Sequence, residues 1–185
     1  MERNDVRTDN GMVTGMFPDR ESAERAYNTA AERGYTKDDV SVIMSDDTRK
    51  KYYTGAVKET VIGTKAAEGA GKGSAIGGTI GAAIGIIAAV GTSLVIPGLG
   101  LIIAGPLAAG IAGAGAGGVT GGIIGALIGA GIPEARSKIY EEGVKKGHIV
   151  LGVHPRSHED AEHFERTWTA NNGREIHNGS TVDVR

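Results

Sequence analysis

Residues 11–45 read GMVTGMFPDRESAERAYNTAAERGYTKDDVSVIMS, and this stretch carries the pattern of a strand, a helix and a second strand. The segment from Met12 to Phe17 is short and apolar, which favours a strand. After Pro18, alanines recur at helical spacing among charged residues, and Gly34 follows as the residue after a helix commonly does. Val40 to Met44 is a second short apolar run. We therefore predict a β-α-β unit over residues 11–45.

A second β-α-β unit is predicted over residues 148–178. Its first strand runs from His148 to His154, Ser157 and Asp160 form a capping box for its helix, and its last strand begins at Arg174. Two such units that share one sheet make a ferredoxin-like α+β fold, and neither is large enough to bury a core alone. The units also align by letter, since Val13-Thr14-Gly15-Met16-Phe17-Pro18 corresponds to Val150-Leu151-Gly152-Val153-His154-Pro155.

A long stretch without charge separates the two units. The 61 residues from Gly73 to Pro133 include no Asp, Glu, Lys or Arg, and they hold 19 of the 31 glycines of the chain. A membrane-spanning helix needs about 20 apolar residues, so this stretch is long enough for two crossings. We predict a helical hairpin over residues 73–133, with helices at Gly71 to Ile96 and Leu101 to Ile132 and a turn at residues 97–100. Two crossings return both β-α-β units to the same side.

The glycines of this stretch recur every four residues, and residues four apart share one face of a helix. A face of glycines lets two helices approach closely, as in membrane helix pairs. We therefore predict a glycine zipper that packs the two helices and joins copies of the chain into a homo-oligomer. Its helix-packing residues are Gly73, Gly77, Gly81, Gly85, Gly113, Gly117, Gly121, Gly125 and Gly129.

The remaining segments are predicted to connect or flank these parts. Residues 1–10 and 179–185 have the composition of disordered tails, and residues 46–72 form a polar linker with a short helix at its start. Residues 134–147 have the pattern of an amphipathic helix. Lysine and arginine lie on both flanks of the uncharged stretch but not in its turn. This distribution favours a cytoplasmic membrane location with both termini in the cytoplasm, the alternative being the cytoplasm itself.

The composition excludes several classes of function. The chain has 20 Lys and Arg against 22 Asp and Glu, so it lacks the basic surplus of a dedicated nucleic-acid binder. It has no cysteine, which excludes disulfides, thiolate nucleophiles and thiolate metal ligands. We find no catalytic residues and no cofactor motif, and predict a non-enzymatic protein. Weak candidates for a metal site are His154, His158 and His163, but their spacing does not suit one helix face, which favours a surface polar cluster.

A series of short motifs runs along roughly residues 11 to 177: Phe17, Ala23-Glu24, Gly34-Tyr35, Asp38-Asp39-Val40, Ile96-Pro97-Gly98, Ala104-Gly105-Pro106-Leu107-Ala108, Gly131-Ile132-Pro133-Glu134 and Tyr140-Glu141-Glu142-Gly143-Val144-Lys145-Lys146-Gly147. In these motifs the chain resembles the YflT-type heat-induced, general stress protein domain in its longer form. The resemblance implies a bacterial protein associated with stress. It implies no activity, because the family brings no established catalytic residues.

Three functional hypotheses follow. The first is a non-enzymatic stress protein that associates with the lipid bilayer and with itself through the glycine zipper, and carries a cytoplasmic ferredoxin-like module. The second is a soluble, self-assembling scaffold in which the same helices are buried between subunits. The third is a regulatory domain that binds a small molecule or a metal.

Overall fold

The computed structural model describes residues 11–53, 93–96, 100–113, 122–129 and 131–179. Predictions for the tails, for most of the linker and for most of the glycine run fall outside these residues. The elements in chain order are β1 Val13–Phe17, α1 Arg20–Glu32, β2 Val40–Ser45, α2 Asp46–Tyr53, β3 Ser93–Ile96, β4 Leu101–Ala104, α3 Pro106–Gly113, α4 Gly122–Gly129, α5 Glu134–Lys145, β5 Ile149–Val153, α6 His158–Ala170 and β6 Arg174–Asn178.

The strands form one antiparallel sheet in the order β3-β4-β2-β5-β1-β6. Strand β5 lies between the two strands of the first β-α-β unit, because Val150 is opposite both Met16 of β1 and Ile43 of β2. Strand β6 lies on the other side of β1. The predicted α+β class is confirmed, and the strands of both units belong to the same sheet.

The prediction of helices over Gly71 to Ile96 and Leu101 to Ile132 is wrong at residues 93–96 and 101–104, which are the strands β3 and β4. These strands pair with each other, and β4 also pairs with β2. Apolar runs of three or four residues, as in these two strands, show no helical or strand period, so the pattern could not separate a buried helix from a buried strand. The free edge of β2 decides the outcome, because it offers backbone hydrogen bonds to β4.

Helices cover both faces of the sheet. On one face, α1 and α6 pack against alternate strand residues, and the indole Nε1–H of Trp168 donates to the carbonyl of Ala26 at 3.1 Å. On the other face, α3, α4 and α5 supply a second buried cluster, which contains Ile123, Leu127 and Tyr140. The described part of the uncharged stretch therefore packs on the sheet. No helix within the described ranges has the length and hydropathy of a membrane crossing.

The edge strand β6 contains a bulge. Its register against β1 shifts between Thr14 and Met16, and Glu175 has a left-handed backbone with φ of 52°. Tyr140, buried in α5, donates its hydroxyl to the carbonyl of Glu175 at 2.5 Å, and Arg136 donates to the same carbonyl at 3.1 Å. Helix α5 thus holds the bulge in place, which breaks the regular pairing pattern of this edge.

Gly105 turns the chain from β4 into α3. Its φ is +85°, and a Cβ at this position would lie 2.3 Å from the carbonyl oxygen of Val40. The next turn is held by Ser41 of β2, whose buried hydroxyl accepts a hydrogen bond from the amide of Leu107 at 3.1 Å. Because Gly105 has no side chain to cap α3, the cap comes from the neighbouring strand.

We predict that Gly105→Ala destabilises the protein by about 2 kcal/mol or more, because a Cβ meets the β2 backbone and φ is unfavourable for an L-residue. Denaturant unfolding followed by circular dichroism measures the loss. The matched control is Gly110→Ala in α3, where an added Cβ has no heavy atom within 4 Å. That control should be neutral or stabilising by up to about 1 kcal/mol. Equal effects of the two substitutions would contradict the assigned role of Gly105.

Candidate self-association surface

Helix α4 buries one side and exposes another. Ile123 and Leu127, four residues apart, are fully buried in the second cluster, where α4 packs against α5. Ile128 is 44% exposed although it is a large apolar side chain. Gly129 is also exposed, and Gly125 is half-buried. We call Gly125, Ile128 and Gly129 the α4 surface; it carries no charge and no hydrogen-bonding side chain.

The structure describes three of the nine glycines predicted to form the zipper. Gly113 is the last residue of α3, and Gly125 and Gly129 lie in α4. The other six, Gly73, Gly77, Gly81, Gly85, Gly117 and Gly121, lie outside the described residues. The predicted packing between the two runs of glycines is therefore untested.

Gly129 has no close contact that requires a glycine. An added Cβ at this position would meet no heavy atom within 4 Å, and the same is true of Gly110 in α3. A glycine in a helix interior, such as Gly110, costs roughly 1 kcal/mol relative to alanine, whereas Gly129 is the last residue of α4. At Gly105 the approach of β2 explains the glycine, whereas among the described residues nothing explains Gly129. A close approach by a further helix is the physical arrangement in which Gly129 has a packing role.

The three histidines of the weak metal candidate do not come together. His154 and His158 are exposed, and His158 pairs its Nε2 with Glu162 at 3.2 Å along α6. His163 is half-buried and turns its ring edge toward Phe164. Over the ranges that the structure describes, no group of three His, Asp or Glu residues could hold a metal ion.

A polar cluster joins the two β-α-β units, and no local sequence pattern predicts it. Asp160 of α6 accepts a hydrogen bond from the hydroxyl of Tyr35 at 2.6 Å and one from Arg33 at 2.7 Å. The backbone amide of Arg156 donates to the Tyr35 hydroxyl at 2.7 Å. The guanidinium carbon of Arg156 lies 4.1 Å from the centre of the Tyr35 ring. Residues about 125 positions apart meet here, which no local pattern could reveal.

The contacts of this cluster are those of a structural clamp. Burial raises the pKa of Tyr35 to about 12, and the hydrogen bond to Asp160 acts in the same direction, so the phenol stays protonated and acts as a donor. Both carboxylate oxygens of Asp160 are engaged by groups of the other unit. These hydrogen bonds between Asp160 and residues of the first unit hold the two units together.

A second polar feature is an open cleft beside α1. It is lined by Asp19, Arg20, Glu21, Glu24 and Tyr52. Arg20 is bonded to Glu24 and donates to the carbonyl of Tyr52 at 2.9 Å. The charge of Arg20 is therefore already paired with Glu24 inside this cleft.

No protein-family model, no curated protein and no solved structure matches this chain.

We predict that Tyr35→Phe destabilises the protein by roughly 1–3 kcal/mol, because it removes one hydrogen bond to a buried carboxylate and the acceptor for the amide of Arg156. Urea unfolding measures the loss. Tyr52→Phe, at a half-buried tyrosine outside the cluster, is the control and should change the free energy of unfolding by less than about 0.5 kcal/mol. An equal loss in both variants would show that Tyr35 contributes only as an aromatic side chain.

We also predict that stability falls when the pH is lowered from neutral into the range below 6.5. Burial first, and nearby arginines second, lower the pKa of His163 and His177 from the ordinary value of 6.5. The Nε2 atom of His163 is buried without a hydrogen-bond partner. The unfolded chain then binds more protons than the folded one, so acid favours unfolding until the folded pKa is passed.

Urea midpoints measured between neutral and mildly acidic pH check the direction of this change. The pKa of the Asp39 carboxyl is also lowered, but its effect on stability falls near and below its ordinary pKa of 3.8. The histidine effect and the carboxylate effect therefore occur in separate pH ranges. His163→Gln should reduce the slope above pH 5 or so. A midpoint that does not change over this range would exclude the assigned histidine effect.

Proposed function

We propose that this chain is a non-enzymatic protein that self-associates through the α4 surface. The observation that carries the proposal is Ile128, an exposed isoleucine beside Gly129, where the position of a Cβ is open. Exposed apolar side chains are common singly, but a helix that also has an unexplained glycine is suited to close packing against another helix. A second copy offers the same surface, so a two-fold axis can pair α4 with α4.

We further propose that the fold is a ferredoxin-like module interrupted between its second and third strands. The four strands of the two units follow the order β2-β5-β1-β6, with α1 and α6 on one face. This order agrees with the β-α-β-β-α-β arrangement. The interruption would then supply β3, β4 and the second layer of helices, and it would place the α4 surface on the side of the sheet opposite the clamp.

The resemblance to general stress proteins supports a role in stress physiology. Among the residues that carry it, Phe17 ends β1, Val40 begins β2, and Tyr140 anchors α5 to β6. In this proposal the domain acts by assembling with copies of itself, without a chemical step.

Membrane association is a second candidate. It is favoured by the absence of charge from Gly73 to Pro133 and by the basic residues on both flanks, which place both termini in the cytoplasm. The proposed self-association does not depend on it. We do not propose a metal-binding regulatory role, because His154, His158 and His163 do not come together in the structure.

We predict that Ile128→Lys lowers the apparent mass of the protein toward the 19.0 kDa monomer. A lysine on each copy would place like charges in the paired surface, and the association constant should fall at least about tenfold, or roughly 1.4 kcal/mol. Light scattering coupled to size exclusion, over a range of concentrations, measures the mass.

Ile139→Lys is the matched control, because Ile139 is 42% exposed on α5 and the glycine four residues further on, Gly143, is buried against Met16. It should leave the mass unchanged. Both variants should unfold within about 0.5 kcal/mol of the original chain, since both positions are exposed. A monomeric original protein, or equal masses for both variants, would refute self-association through α4. Retention in carbonate-washed membranes by all three proteins would support the membrane candidate.

A further inference from the structure

Strand β3 ends the sheet on one side, and its outer edge has no strand partner among the described residues. It pairs with β4 alone, in an unbroken register from Ser93 opposite Ala104 to Ile96 opposite Leu101. In an antiparallel strand, alternate N–H and C=O groups point to each side. Half of the backbone hydrogen-bonding groups of β3 therefore point away from β4.

The two edges of the sheet differ in a way that bears on association. Strand β6 has the features by which proteins block pairing at an edge: the bulge at Glu175, the charged residues Arg174 and Glu175, and Tyr140 bonded to its backbone. Strand β3 reads Ser-Leu-Val-Ile, with no charge, no proline and no bulge. Among the described residues, the bulge, the edge charges and the side-chain contact to the backbone are found at β6 and not at the four-residue strand β3.

We propose that the outer edge of β3 pairs with β3 of a second copy of this chain, which joins two sheets into one continuous antiparallel sheet. A two-fold axis perpendicular to the sheet makes a strand antiparallel to its own copy, which matches the antiparallel pairing throughout this sheet. Because β3 has no charged residue, pairing it with itself brings no like charges together. The backbone supplies the hydrogen bonds, as in other strand additions.

This inference goes beyond the proposed function and does not rest on it. It uses the backbone of an edge strand, whereas self-association through α4 uses an apolar helix surface. With both contacts, each copy would have two separate interfaces, and the chain would form assemblies larger than a dimer.

The absence of cysteine allows a direct test. A two-fold axis through the paired strands sets one β3 residue opposite its own copy, at a distance that a disulfide can bridge. Four single variants, Ser93→Cys, Leu94→Cys, Val95→Cys and Ile96→Cys, are oxidised in dilute solution and separated without reductant. One of them should form covalent dimers at least about tenfold more than His177→Cys in β6, the matched edge control.

Hydrogen exchange of the unaltered protein supplies a second readout that does not depend on the folding of variants. The outward amides of β3 should exchange more slowly at high protein concentration than at low concentration, while amides of β6 should not change. The proposal is overturned if no β3 cysteine exceeds the control, or if β3 protection is independent of concentration, which would mean that the chain itself covers this edge. Failure of the α4 proposal is seen separately, in the mass of Ile128→Lys.

Discussion

The antiparallel pairing of β5 with both β1 and β2 is the constraint on which the rest of the structure depends. Val150 and Leu151 lie at the centre of the sheet, between strands that come more than 100 residues earlier in the chain. The chain that leaves β2 must therefore return to the same sheet to begin β5. The described residues between 46 and 148 either form strands of this sheet or pack against it.

The central strands are buried on both faces, and this explains much of the lack of charge in the described part of residues 73–133. Every residue of β1 and β5 is buried, so each face of the sheet needs its own layer of helices. Leu107, Ile123 and Leu127 of the second layer meet Ile103 and other strand residues in one cluster. A charged residue at those positions would have to be buried without a partner. Within the described ranges, the absence of charge is thus a requirement of the core as well as a pattern that suggests a membrane.

The parts of the fold that the sequence predicted well are those set by local rules. Helix α1 has the expected stripe of buried alanines. The Ser157 hydroxyl caps α6 by accepting a hydrogen bond from the amide of Asp160 at 3.1 Å. The hairpin β3-β4 was missed because its strands are decided by the free edge of β2 and not by their own period. The clamp was missed because Asp160 reads locally as a capping residue, while its carboxylate binds Tyr35, 125 positions away. Gly125 and Gly129 of the α4 surface belong to the predicted zipper, whose packing the described residues do not test.

The glycines of the uncharged stretch do not share one physical cause. Gly105 is required within the chain, because the backbone of β2 passes where a Cβ would be. Gly110 lies inside α3 and Gly129 ends α4, and no contact among the described residues requires a glycine at either position. In the association proposed above, a helix of a second copy would pack against Gly129 beside the exposed Ile128, whereas a Cβ at that position would hold the two backbones apart. The glycine that has no role in the described fold is for this reason the stronger indicator of association.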